Sequence, residues 1–150
     1  MKLLNPASPD RFMSAIILIR LMVGAVFLSE GIQKFLFPAA RGAGRFLKIG
    51  LPAPEFLGYF VGSFEAVCGA LILLGLFTRF AAIPLFIIML VAIATTKIPI
   101  LIESGFLEMA HTARTDWSML LASLFLLRCG GGNLSLESLL KKRTPRVALN

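Results

Sequence analysis

Arg20, Glu30 and Lys34 interrupt the first long apolar run of this chain, and Glu65 interrupts the second. Arg20, Gly24, Phe27, Gly31 and Lys34 recur at intervals of 4, 3, 4 and 3 residues, which places them on one face of a helix. Glu30 flanks that face four residues before Lys34, the favourable order for a helical ion pair. Gly58, Gly62, Glu65 and Gly69 follow at intervals of 4, 3 and 4, again one face. Both faces set glycines beside ionisable groups, and Gly58-xxx-Gly62 is a spacing that lets helix backbones approach closely, so the two are expected to pack together. A charge at the centre of a bilayer costs at least ~2.5–3.5 kcal/mol, so Glu65 requires a partner or a proton. Arg20 and Lys34 both lie on the facing stripe, and spacing does not choose between them. Such a cluster can form a ligand or proton site; equally, it can simply hold a bundle in one arrangement.

Asp116, His111, Glu108 and Lys97 fall nearer the same membrane surface, which suggests a polar vestibule with Glu65 at its floor. Arg20, Glu30, Lys34, Glu65, His111 and Asp116 are therefore the candidates for a ligand or proton site. Gly24, Gly31, Gly58, Gly62 and Gly69 are the candidates for helix packing. No metal site is expected, because His111 is the single histidine. Cys68 and Cys129 form neither a CxxC pair nor a disulfide framework.

The composition says what must hold these residues. Of 150 residues, 57% are hydrophobic and 15% charged. Soluble domains carry about 45–50% and about 25% respectively. A disordered tail, a coiled coil and an ordinary water-soluble enzyme are excluded. The net charge of +7 sits beside and between apolar runs, where it reads as membrane orientation rather than nucleic-acid binding. The 13 phenylalanines suit lipid contact, and a quinone groove would use the same side chains.

Four spans are expected, at about 12–37, 56–77, 80–102 and 107–129, within one domain covering 1–150. Ser8-Pro9-Asp10 suits the start of the first helix, and Pro38 its end. Between 39 and 54, basic residues alternate with Phe46, Leu47 and Ile49, the pattern of a short interfacial helix. Thr78-Arg79 reads as a tight turn joining the second and third spans as antiparallel neighbours. The fourth span carries a polar stripe, Glu108, Thr112 and Asp116, continuing to Ser123. Gly130-Gly131-Gly132 ends it, and Leu134 to Arg143 reads as an amphipathic tail lying on the membrane. Eight basic residues on the side of both termini and Arg79, against six on the other, orient both termini to the cytoplasm.

Arg20-xxx-Gly24-xx-Phe27-xxx-Gly31-xx-Lys34, then Gly50-Leu51-Pro52-Ala53-Pro54, then Glu65-xxx-Gly69 leading to the Leu74–Ala82 stretch, resembles the DoxX family. The ending Gly130-Gly131-Gly132-Asn133-Leu134-Ser135-Leu136-Glu137 is similar to that family's tail, with Glu137 in place of the usual Asp. Asp116 occupies the position of the family's acidic residue early in the fourth helix, preceded here by an unusual Arg114. The resemblance implies a four-helix bundle in the bacterial inner membrane. It also implies association with thiosulfate:quinone oxidoreductase, quinol oxidase or membrane thiol-redox systems.

The leading expectation is accordingly a membrane subunit associated with redox chemistry, contacting quinone or a sulfur-containing reductant. The chain lacks haem-spaced histidines, a CxxC and a flavin motif, so this role calls for a membrane or periplasmic partner protein. A non-catalytic scaffold and a small proton- or anion-coupled transporter are the alternatives, with oligomerisation compatible with each. Internal repeats and broken mid-membrane helices, the usual marks of a transporter, are not visible.

Overall fold

A computed structural model describes residues 9–143. The N-cap expected at Ser8 and the terminal charges Lys2 and Arg146 lie outside the described residues. Within them every regular element is helical, in the order α1 (Pro9–Leu36), α2 (Pro38–Arg41), α3 (Ala43–Lys48), α4 (Pro54–Leu74), α5 (Thr78–Ser104), α6 (Phe106–Thr112), α7 (Arg114–Cys129) and α8 (Leu136–Arg143). Three of these, α1, α4 and α5, are long and apolar enough to cross a membrane.

The long helices pack in two pairs. α1 lies chiefly against α4, and α5 chiefly against α7. Glycine sets the first seam. A Cβ on Gly31 would fall on the Ala66 amide, and one on Gly69 would lie 2.5 Å from the Leu28 nitrogen. One on Gly24 would lie 2.8 Å from the Gly69 carbonyl oxygen. Without those side chains the backbones approach closely, and van der Waals contact replaces the hydrophobic drive that is absent within lipid. Gly62 faces Lys34 and Phe35 of α1, whereas Gly58 abuts Ala43 and so seats α3 rather than α1. The core between the pairs is built from Val23, Phe27, Ile72, Leu85, Met119 and Leu126, all buried.

Several local boundaries differ from the sequence expectation. The turn between the second and third long helices is Gly75-Leu76-Phe77, not Thr78-Arg79, which belong to the first turn of α5. Gly75 and Phe77 take left-handed backbone angles, φ 71° and 47°, reversing the chain in three residues. The loop after α1 forms two short helices instead of one, divided at Gly42. The stretch expected as one helix over 107–129 is divided at Ala113 into α6 and α7.

Arg20 sits where α4 ends. Its Nε donates to the Ile72 carbonyl at 2.9 Å and its Nη2 to that of Leu73 at 2.7 Å. Nη1 donates to Gly131 and Leu134 carbonyls at 3.1 and 2.8 Å. The side chain is 2% exposed, and its charge rests on the negative end of the α4 dipole. One guanidinium thus ties α1, the C-terminus of α4 and the glycine-rich segment after α7 into a pinned end. Gly131 is part of this end, since a Cβ there would lie 2.8 Å from Thr78 Oγ1.

Candidate functional site

The opposite end of the bundle is hollow. The C-terminal half of α1, the N-terminal half of α4, the C-terminal half of α5 and the start of α7 surround a cavity of about 510 Å³, with α3 and residues 49–51 along one side. Antiparallel packing brings these four helix halves to one level. Val26, Phe27, Leu57, Val61, Ile88 and Met119 make much of the wall hydrocarbon.

Six ionisable side chains line it: Glu30, Lys34, Arg45, Glu65, Lys97 and Asp116. Lys34 Nζ donates to Glu65 Oε2 at 2.5 Å, joining α1 to α4. Both side chains are nearly buried, at 10% and 6% exposure. Lys97 Nζ lies 3.2 Å from Asp116 Oδ2, joining α5 to α7. Glu30 pairs with Arg41 rather than Lys34, with 3.8 Å between Oε1 and Nη1. Arg45 stands at the α3 edge of the cavity, exposed and without an ion-pair partner among the described residues.

The two lysines can do more than hold their acids. An ammonium carries three N–H donors, and Lys34 uses one on Glu65. The remaining donors of Lys34, like those of Lys97, are available to acceptor oxygens within a cavity that shields them from bulk water. Thr95 and Thr96 line the same wall, their hydroxyls donating to the carbonyls of Val91 and Ala92 at 2.8 and 2.6 Å. Pro99, inside α5, has no N–H to give to the Thr95 carbonyl, which removes one helical hydrogen bond beside the cavity.

Of the residues singled out by spacing, Glu30, Lys34, Glu65 and Asp116 meet at this cavity. Arg20 and His111 do not. Arg20 is engaged at the pinned end, and His111 is exposed on α6, where Arg114 Nη1 lies 3.0 Å from its Nε2. Lys97, expected in the vestibule, lines the cavity as well, together with Arg45 and the threonines of α5, which spacing had not placed in the site. Thr95-Thr96-Lys97 in an otherwise apolar helix was the available signal: a polar triplet is costly against lipid and tends to face a bundle interior.

A family profile described as DoxX matches residues 15–98, more than half of the chain. The chain belongs to the DoxX family. The match to the DoxX profile covers α1 through most of α5, and therefore both helices of the glycine seam. A protein of Mycobacterium tuberculosis (strain ATCC 25618 / H37Rv), "Uncharacterized membrane protein Rv3486", is 54% identical over 135 residues, covering 86% of this chain and 83% of that protein. No solved structure matches. Membership in DoxX, the membrane relative and the three long apolar helices together make this a membrane protein.

Proposed function

We propose that this DoxX protein is a membrane subunit associated with redox chemistry that receives a quinone, or a sulfur-containing reductant, in the cavity and acts with a partner protein. The observation that carries the reading is the division of the cavity between hydrocarbon walls and two lysine–carboxylate bridges. A quinone is a flat apolar ring with two acceptor oxygens, and the unused N–H donors of Lys34 and Lys97 suit those oxygens. In this reading the pair α6–α7 completes a fourth crossing, since α7 alone is 16 residues, roughly 24 Å, and falls short of a ~30 Å hydrocarbon core. The chain 1–150 is then one four-helix domain in the inner membrane. Its α2–α3 segment and its tail lie at the interfaces, and both termini face the cytoplasm.

A second reading rests on a specific observation as well. The Lys34–Glu65 bridge lies on the glycine seam, where it would lock α1 to α4 in a scaffold without chemistry of its own.

Native mass spectrometry of the protein extracted from its own membrane tests the first reading. A retained quinone-sized molecule and a co-purifying oxidoreductase subunit are expected. Glu65→Gln, which keeps an acceptor oxygen for Lys34, and Asp116→Asn should keep the fold and abolish quinone-linked activity or cellular complementation. Stable, fully active variants at both positions would leave the scaffold in front.

A further inference from the structure

We infer that the cavity is entered sideways from the bilayer, between α4 and α5, and that its occupant is an amphiphile whose hydrocarbon tail lies in that gap. The inference rests on the reading above only for the identity of the head group. Phe60 on α4 and Ile87 and Val91 on α5 line the cavity, yet they are 47%, 52% and 49% exposed. Half-exposed lining residues mark a stretch of wall that no other element covers. Ile87 and Val91 are the tenth and fourteenth residues of a 27-residue helix, so this opening faces hydrocarbon rather than water. α4 and α5 are joined at the pinned end by Gly75-Leu76-Phe77, and each packs chiefly on a different partner. They therefore have reason to part toward the cavity end, whereas α1 and α4 are held together by glycine contacts along their length.

Two further features suit a tailed occupant. Phe56, Phe60 and Phe64 form a row of ring contacts along the exposed side of α4, the first pair stacked and the second tilted, with centroids 5.5 and 4.9 Å apart, and the middle ring forms the lip of the opening. The acids lining the cavity each face a base, Lys34 with Glu65, Lys97 with Asp116 and Arg41 with Glu30, so a head group enters a site without excess negative charge. A water-soluble ligand has no use for a hydrocarbon gate. An amphiphile dissolved in the membrane keeps its tail in an apolar medium throughout entry, and transfers only its head to the lysine donors.

The test uses the full chain in phosphatidylcholine nanodiscs, with Cys68→Ser and Cys129→Ala removing the native thiols and Thr96→Cys placing one on the cavity wall. Two reagents compete: N-dodecylmaleimide, which partitions into lipid, and a sulfonated maleimide, which does not. The dodecyl reagent should label about tenfold faster, and Ile87→Trp or Val91→Trp, each enlarging a side chain at the opening, should slow it by about tenfold while leaving the sulfonated reagent unchanged. Faster labelling by the sulfonated reagent, indifference to both tryptophans, or no labelling by either reagent would overturn the lateral route. Thermal unfolding of each variant confirms that the fold persists; should the thiol-free chain not fold, the same rates are read on the Thr96→Cys peptide in the native-cysteine background. Protection of Thr96→Cys by a decyl-tailed quinone reports on the head group separately. A tryptophan-sensitive entry without such protection would keep the portal and discard the quinone.

Discussion

Lys97 on α5 meets Asp116 on α7 at 3.2 Å, and this bridge repeats in the second helix pair what Lys34 and Glu65 do in the first. In each pair the earlier helix supplies the lysine from its C-terminal half and the returning helix supplies the acid. Both bridges border one cavity. The bundle is thus two charge-locked pairs pinned together at the Arg20 end and hollow at the other.

The bridges differ in burial, and so in what breaking them costs. Side-chain exposure is 10% and 6% for Lys34 and Glu65, against 12% and 19% for Lys97 and Asp116. Glu65→Ala leaves an ammonium in a nearly closed site and should lower stability by about 3–5 kcal/mol, while Lys34→Met with Glu65→Leu should restore most of the loss. Asp116→Ala should cost less than Glu65→Ala. Unfolding of the three variants beside wild type in detergent checks both statements, and a double variant no better than Glu65→Ala alone would count against the pair.

The glycine seam makes a steric prediction. Gly31→Ala and Gly69→Ala each put a methyl group onto backbone of the neighbouring helix, and each should lower stability by about 1–3 kcal/mol. Ala25→Leu, on the exposed side of α1 next to Gly24, should stay within about 0.5 kcal/mol of wild type. Melting temperatures in one detergent decide it. Equal effects at all three positions would remove the proposed close approach.

Arg20 is predicted to be irreplaceable by lysine. Four carbonyls from two segments accept from one planar guanidinium, a geometry that an ammonium with three donors cannot reproduce. Arg20→Lys should lose most of the stability that Arg20→Ala loses, and both should increase proteolysis near Gly131 and Leu134. A fully stable Arg20→Lys would show that charge alone suffices there.

Orientation follows from the basic residues. Reporter fusions near Arg79 should read cytoplasmic, and fusions near Arg45 and Glu108 should read external. A cytoplasmic signal at Arg45 would invert the whole arrangement and put the cavity end inside the cell.

Which residues share a face was legible in the sequence, because 3.6 residues per turn is a property of one helix and needs no neighbour. The stripe Arg20, Gly24, Gly31, Lys34 and the stripe Gly62, Glu65, Gly69 therefore emerged from spacing alone, as did the membrane class from apolar content. The partner of Glu65 did not. Arg20 and Lys34 stand on the same stripe 14 residues apart, roughly 21 Å along the axis, so choosing between them requires the register of α1 against α4. That register is set where Gly31 admits Ala66 and Gly69 admits Leu28, contacts between backbones far apart in the chain. They put Lys34 level with Glu65 and carry Arg20 down to the last carbonyls of α4. The break at Ala113 and the meeting of Lys97 with Asp116 were likewise decided by packing, since no spacing within one helix specifies how it stands against the next.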